Sequence, residues 1–346
     1  MKELKVRKMF DRHVHLRWGD LMKLVALFTF RQCSGAIIMP NLKEIINTIE
    51  KAKKYEKQIN ILSHEKEIKF DPCMTYYLTD NTDIGELEEG FNECIWDLAK
   101  LYPAGATTNA NNWVTDIKNL YPVFDKMQDI GMPLSLHGEE VDNNLSLYDR
   151  ERVFVDKTLP LLLYHFPALK IIMEHVSTKE AVDFVIENEN ICATVTAHHL
   201  VKDKTVHKDY EGEFDPFYFC YPVLNSPEDR FAIRKAVTSD NEYIRKNFGA
   251  GTDSAPHLIK DKLEGKGGLF TAPIATELYA QVFIEEGAKL GHLNDFLAVN
   301  LLEGVYDISP VEEYMTLVKE EWIVPEEYNG IRPFMAGEKL QWKIKS

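Results

Sequence analysis

Short apolar runs bounded by turn-forming residues recur along the chain at Phe10–His15, Gly35–Pro40, Pro72–Tyr77, Ala99–Tyr102, Pro133–His137, Lys170–His175, Ile191–Thr196 and Phe248–Thr252. Each has the length and punctuation of a strand. Between them lie longer segments with apolar residues at helical spacing, Leu42–Tyr55, Ile84–Leu98, Val114–Ile130, Asp149–Tyr164 and Lys179–Glu187, and beyond the last strand Thr271–Glu286 and Leu293–Leu302 also look helical. Strands alternating with helices form βα units and a parallel sheet. Eight such units predict an α/β fold closed as a (β/α)8 TIM-type barrel, with a doubly wound open sheet as the structural alternative. No internal repeat, low-complexity tract or Pro/Gly/Ser linker divides the chain, so residues 1–346 read as a single barrel domain. Two segments break the rhythm. Val201–Pro222 is polar and aromatic and reads as a long excursion between the seventh and eighth strands; Lys260–Gly268, KDKLEGKGG, reads as a mobile or ligand-covering loop.

Composition narrows the class without changing the fold. A length of 346 residues divided by roughly 150 per domain suggests about two domains, but α/β barrels commonly run about 250 residues as one unit. With 45% apolar and 27% charged residues the chain is not generally disordered. Its 40 basic against 55 acidic residues, a net charge of −15, exclude a generic nucleic-acid binder. The stretch Leu24–Phe30 is far short of the roughly 20 apolar residues that cross a bilayer. The N-terminal MKELKVRKMFDRHVH is basic but lacks a following apolar run, so no secretory signal is predicted and the expected location is the cytoplasm. Five scattered cysteines without a CxxC pair read as reduced, buried thiols.

Candidate chemistry collects at the C-terminal ends of the proposed strands, where barrel active sites are built. His13 and His15 close the first strand, Lys100 lies in the fourth, His137 and His175 close the fifth and sixth, and Asp253 follows the eighth. Side chains at i and i+2 of a strand share a face, so both imidazoles of HVH can reach one cation. Taken alone, a packed or solvent-facing histidine pair explains HVH as well; its place at the strand end favours metal. His137 and His175 each fit a satisfied core histidine separately, and a second cation's ligands jointly. Imidazole and carboxylate without thiolate suit zinc, with manganese or cobalt as substitutes. An ammonium at Lys100 would repel the cations, so it points elsewhere or is modified: a buried amine made neutral can add carbon dioxide to give a bridging carbamate. A lysine in LAKLYP can also carry its head out to solvent. For His198 and His199 packing behind the ligands is the simpler reading; Glu139 and Glu174 either orient the ligand histidines or face solvent.

The segments DRHVHLRWGD, AIIMPNL, MTYYLTD, AKLYPAGATTN, IGMPLSLHGE and IIMEHVSTKEA, and above all GTDSAPH followed by FTAP, span nearly the whole chain. In them the chain resembles the dihydroorotases of the freestanding bacterial type, within the amidohydrolase superfamily. The resemblance implies a metal-dependent amidohydrolase barrel with two Zn2+ per chain: His13, His15 and Asp253 on one, His137 and His175 on the other, and carboxylated Lys100 bridging them. It also implies that Arg17, Asn41 and His257 hold the substrate carboxylate, that the backbone of Tyr221 and Gly267 contacts the ring amide groups, and that Thr107 and Thr108 form the tip of a lid loop. Two features depart from the family: Asn225 stands where a lysine is often seen, and KDKLEGKGGLFTAP lacks the cysteine-rich insert of some relatives.

The implied reaction is the reversible cyclisation of N-carbamoyl-L-aspartate to L-dihydroorotate, a step of pyrimidine biosynthesis, with hydroxide generated from a water shared by two metals and Asp253 as the catalytic proton shuttle. A small-molecule substrate is thus expected, with no nucleic-acid or membrane partner and a homodimer as a candidate assembly. Two other readings stand beside it. One is a hydantoinase-like or allantoinase-like cyclic-amide hydrolase, against which Arg17 and Asn41 speak. The other is an inactive scaffold serving a transcarbamoylase, against which the intact set of metal-capable residues speaks.

Overall fold

The eight apolar runs are eight neighbouring strands of one sheet. In the computed structural model, which describes residues 3–106, 114–208, 210 and 212–345, the strands are β1 (Glu3–Arg7), β2 (Met9–Val14), β3 (Cys33–Ile38), β4 (Asp71–Tyr77), β5 (Leu98–Leu101), β6 (Leu134–Leu136), β7 (Ile171–Met173), β8 (Ile191–Val195), β9 (Phe248–Ala250), β10 (Tyr314–Ile323) and β11 (Lys339–Ile344). Strands β2 through β9 stand side by side in chain order, every neighbouring pair parallel. The last returns to the first: the Asp253 N–H donates to the His13 carbonyl at 2.9 Å, the His15 N–H to the Ser254 carbonyl at 3.1 Å, and Val14 and Ser254 form a parallel bridge. An open doubly wound sheet leaves its edges apart, so the fold is a nearly closed (β/α)8 barrel.

Alternation along the strands builds the interior in layers. Phe10, Ile37, Cys73, Leu98, Ile172 and Cys192 pack into one buried cluster with Leu301, Leu302 and Tyr306, an apolar floor inside the barrel, while the other parity joins the large cluster beneath the helices. Two residues further along the same inner faces stand Thr75, Lys100, Glu174 and Thr194, all fully buried. The interior therefore turns polar one layer above its floor, on the side where the strands end.

Several boundaries differ from the sequence pattern for local reasons. The helix expected over Leu42–Tyr55 runs Ile49–Glu65, because the Thr48 side chain accepts from the Lys51 N–H and sets its start. The one expected over Ile84–Leu98 stops at Asn92, since Leu98 already begins β5. Val114–Ile130 splits into a 3-10 turn, Ile117–Leu120, and a helix, Tyr121–Ile130, which ends at the left-handed Gly131. A helix over Gly19–Gln32, whose Met22, Val25, Ala26, Thr29 and Phe30 are buried at helical spacing, lies outside the pattern-based expectation. So does an antiparallel sheet of order β1-β10-β11. Lys260–Gly268 is not all loop: a short helix, Ile259–Leu263, opens it and buries Lys262. Of the five free cysteines, Cys94 is exposed, contrary to the expectation that all are buried. No helix among the described residues is long and apolar enough to cross a membrane.

Candidate active site

At the polar end of the barrel lies a small pocket lined by His13, His15, Arg17, Asn41, Tyr102, His137, His175, Tyr221, Asp253, His257 and Gly267, among others. These come from the ends of β2, β3, β5, β6, β7 and β9 and from the loops after β8 and β9. Three of the residues, Arg17, His175 and Asp253, hold φ of 66°, 43° and 42°. A non-glycine residue in that region costs on the order of 1–3 kcal/mol, so the chain bends there against its own preference to aim side chains inward. Asp11 fixes one bend: its carboxylate accepts from the Thr252 N–H at 2.8 Å, the Thr252 hydroxyl at 2.6 Å and the His13 N–H at 3.2 Å, tying the ends of β2 and β9 together beside Asp253.

The imidazoles are oriented from behind. His13 Nδ1 lies 2.7 Å from Glu174 Oε2, and His15 Nδ1 lies 2.7 Å from Asn41 Oδ1. Both partners accept, so each Nδ1 carries the proton and each Nε2 presents a lone pair. Those two atoms face Asp253 Oδ1, at 3.4 Å from His13 and 3.1 Å from His15. Burial first, with the nearby Arg17 charge, pulls the His15 imidazole down to about 4. A neutral His15 beside an ionised Asp253 sets acceptor against acceptor, an arrangement a cation relieves. The ligand atoms of His13, His15 and Asp253 all lie within 4.8 Å of one another.

His137 repeats the motif, while His175 Nδ1 is buried with no hydrogen-bond partner. His137 Nε2 lies 2.6 Å from Glu139 Oε2, which leaves Nδ1 as a lone pair facing His175 Nε2 at 3.2 Å. Burial, and then the charge of His137 and His13, drives the His175 imidazole well below its ordinary value. Lys100 lies beneath the pocket, fully buried, with no hydrogen-bond partner for its Nζ. Nζ sits 5.0 Å from the centroid of the Tyr102 ring, and burial brings its amine down to about 8. The reading in which Lys100 carries its head to solvent is therefore excluded. The solvent-facing reading of Glu139 and Glu174 falls too, because both are fully buried. Glu174 orients a histidine from another strand, accepting from His13 across the barrel and from the Ser135 and Thr194 hydroxyls, each at 2.5 Å. Sequence reasoning missed Ser135 and Thr194; their places two residues past inner-face positions are the signal that could have found them.

Across the pocket the side chains are held by loops. Arg17 donates from Nε to the Pro256 carbonyl at 3.0 Å, and its Nη2 lies 3.2 Å from His257 Nε2. Burial and the neighbouring Arg17 charge keep His257 neutral, far below its ordinary value. A neutral His257 accepting at Nε2 carries its proton on Nδ1. Asn41, with Oδ1 engaged by His15, keeps its amino group as a donor. Tyr221 and Gly267 are in close approach, since a Cβ built on Gly267 would lie 2.5 Å from the Tyr221 ring. Thr107 and Thr108 lie outside the described residues.

Other candidates do not line this pocket. His198, His199 and Cys220 are buried with potential ligand atoms within 4.8 Å of one another. His199 is already engaged at both nitrogens, by Thr196 Oγ1 at 2.8 Å and the Pro222 carbonyl at 3.3 Å, and Cys220 Sγ donates to the same carbonyl at 3.2 Å. Asn225 braces a loop, donating from Nδ2 to Ser177 Oγ at 2.9 Å.

A nearly closed (β/α)8 barrel that turns four strand-end imidazoles and an aspartate into one pocket above a buried lysine has the architecture of the amidohydrolase barrels. No protein-family model matches the chain. A curated dihydroorotase of Parasynechococcus marenigrum is 40% identical over 97% of this chain and 96% of its own length. Among solved structures, a dihydroorotase from Campylobacter jejuni is 33% identical with a TM-score of 0.85, covering 99% of this chain and 97% of that one. A dihydroorotase from Saccharomyces cerevisiae in complex with 5-fluoroorotic acid is 30% identical with a TM-score of 0.87, covering 100% and 99%. An L-hydantoinase from Arthrobacter aurescens, at 14% identity and a TM-score of 0.80, covers 99% of this chain and 83% of that one and shares the fold. The chain belongs to the dihydroorotase family, and it is a cyclic amidohydrolase.

Proposed function

We propose that the chain opens the ring of L-dihydroorotate to N-carbamoyl-L-aspartate, and closes it in reverse, as a step of pyrimidine biosynthesis. Family membership supports the substrate. The observation that carries the chemistry is the convergence of acceptor atoms of His13, His15 and Asp253 with no donor among them, beside a buried lysine amine with no partner. That donor set fits two divalent cations, zinc by its imidazole and carboxylate character. His13, His15 and Asp253 would hold one, His137 and His175 the other, and Lys100 as a carbamate would bridge them. When bound, the cations would lower the pKa of a water and polarise the amide carbonyl it attacks.

The chain's own residues do the rest. Arg17, the Asn41 amino group and the Nδ1–H of His257 form a donor set for the substrate carboxylate, which fixes the ring before attack. A chain of net charge −15 needs this local positive site for an anionic substrate. Asp253, kept ionised at the pocket wall, takes a proton from the water as its oxygen bonds to the ring amide carbon. It returns that proton to the ring nitrogen as the carbon–nitrogen bond breaks, and the new carboxylic acid loses the water's second proton to solvent, so the product carries a new carboxylate and a terminal ureido nitrogen. Residues 1–346 are proposed to act as one barrel domain. The small sheet is tied to the barrel's outer helices where the Arg7 N–H donates to Asn294 Oδ1 at 2.9 Å and the Ile344 N–H donates to Glu277 Oε1 at 3.2 Å.

Elemental analysis paired with a ring-opening assay tests the proposal. About two divalent ions per chain are expected, with activity lost on chelation and recovered on adding zinc. Full turnover of dihydroorotate by the metal-free chain would refute it.

A further inference from the structure

Lys262 has no part in the chemistry above, yet its head group is fully engaged. It lies on the short helix Ile259–Leu263, is 5% exposed, and sends its ammonium into a ring of backbone carbonyls: Phe219 at 2.8 Å, Lys266 at 2.9 Å and Gly268 at 2.7 Å. An ammonium has three protons, so every donor is used. The acceptors belong to two loops. Phe219 lies in the excursion after β8, two residues before Tyr221; Lys266 and Gly268 flank Gly267 in the loop after β9. A direct bond reinforces this junction, from the Gly268 N–H to the Phe219 carbonyl at 3.0 Å.

The spacing that Lys262 maintains is tight. Tyr221 and Gly267 both line the pocket, and the Gly267 backbone runs so near the Tyr221 ring that a Cβ there would lie 2.5 Å from it. Gly268, at φ 128°, would bring a Cβ to 2.8 Å from the Ala255 carbonyl. Among the described residues no carboxylate pairs with Lys262 at hydrogen-bond distance; Asp261, its neighbour in sequence, is paired with Lys266 at 3.0 Å. Burying an ammonium against carbonyls alone is costly unless all its protons are satisfied. The arrangement therefore depends on both loops holding their present positions, and each loop depends on the ammonium.

From this juxtaposition we infer that Lys262 is a positioning residue for substrate: it fixes the backbone at Tyr221 and at Gly267 at the separation the substrate ring occupies. The inference rests on the proposed substrate and on those two backbones as its ring contacts. Loss of the brace then weakens binding of the ring while leaving the metal-binding strand ends, which it does not touch, as they are.

The test uses the full-length, metal-loaded protein, with KM and kcat measured for dihydroorotate and Kd for 5-fluoroorotic acid as a ring probe that needs no turnover. Lys262→Met keeps the stem and removes charge and donors; Lys262→Gln keeps two donors; Lys262→Arg keeps charge with a longer head. Lys262→Met is expected to raise KM and Kd about tenfold or more, with kcat within about threefold of wild type and metal content unchanged; Lys262→Gln should fall between. A merely structural role would lower the melting temperature and the active fraction but leave KM and Kd where they were, and that result overturns the inference. Should neither neutral variant fold, Lys262→Arg carries the test, with raised KM and Kd expected and wild-type values overturning it. A wild-type chain that neither turns over dihydroorotate nor binds 5-fluoroorotic acid would instead refute the functional proposal beneath it.

Discussion

The two walls of the pocket are built on opposite plans. On one, His13, His15, His137, His175 and Asp253 sit at strand ends, with Glu174, Asn41 and Glu139 orienting His13, His15 and His137 from behind, and the front atoms of His13, His15 and Asp253 face one another as unsatisfied acceptors. On the other, Arg17, His257, Tyr221 and Gly267 sit on loops and are held by backbone carbonyls and by each other. The strand wall is rigid and electrostatically incomplete, which is what a cation site requires. The loop wall is satisfied within itself and carries the Arg17 cation, which suits a small organic anion. Asn41 joins the two, accepting from His15 with its oxygen while its amino group remains on the substrate side.

If the strand wall carries the chemistry, damage there should be far more severe than damage on the loop wall. The largest effect is expected for Lys100→Ala, which removes the proposed bridge: ring-opening activity should fall at least about a thousandfold, roughly 4 kcal/mol. A variant that keeps wild-type turnover would remove Lys100 from the account. Asp253→Asn should lower kcat by about a hundredfold or more while 5-fluoroorotic acid still binds, because the amide occupies the same place but accepts no proton. A kcat within a few-fold of wild type would mean that another group moves the proton.

Further back, Glu174→Gln should weaken metal retention by roughly ten- to a hundredfold in a chelator competition, since Glu174 accepts from His13, Ser135 and Thr194 together. Unchanged retention would show that His13 needs no such support. The loop wall should respond less and differently. Arg17→Lys should raise KM about tenfold with kcat nearly kept, because an ammonium cannot supply the planar fork. Equal losses in kcat would place Arg17 in the chemical step.

The smallest effect concerns pH. Burial brings the Lys100 amine down to about 8 in the metal-free protein. Only the neutral amine adds carbon dioxide, and its fraction rises with pH. Reactivation of metal-free protein by bicarbonate and zinc should therefore speed up several-fold between about pH 7 and 8 and level off above the amine's pKa. A rate that is flat across this window would argue against carbamate formation at Lys100.

The same contrast explains what the sequence discloses. Parallel strands buried on both faces leave short apolar runs, so all eight barrel strands were legible within two residues at either end. Polar residues that interrupt those runs at their C-terminal ends are conspicuous, and His13, His15, His137, His175, Lys100 and Asp253 were singled out for that reason. The loop wall leaves no such trace. Tyr221 and Gly267 enter the account through their main chain, which no residue type advertises, and only the family resemblance drew attention to them. Strands β1, β10 and β11 were missed because their charged residues interrupt any apolar run, as in β10, YMTLVKEEWI. The reach of Glu174 to His13, 161 positions away in the chain, is visible only once the barrel closes.

The central claim is that the loop wall, by gripping a carboxylate, directs a general cyclic-amide chemistry to one ring. The most direct measurement compares turnover of L-dihydroorotate with that of dihydrouracil, the same ring without the carboxylate, by the zinc-loaded chain under identical conditions. The account predicts ready ring opening of dihydroorotate and a kcat/KM for dihydrouracil lower by at least about a thousandfold, roughly 4 kcal/mol. Comparable turnover of both rings, or a preference for dihydrouracil, would contradict it.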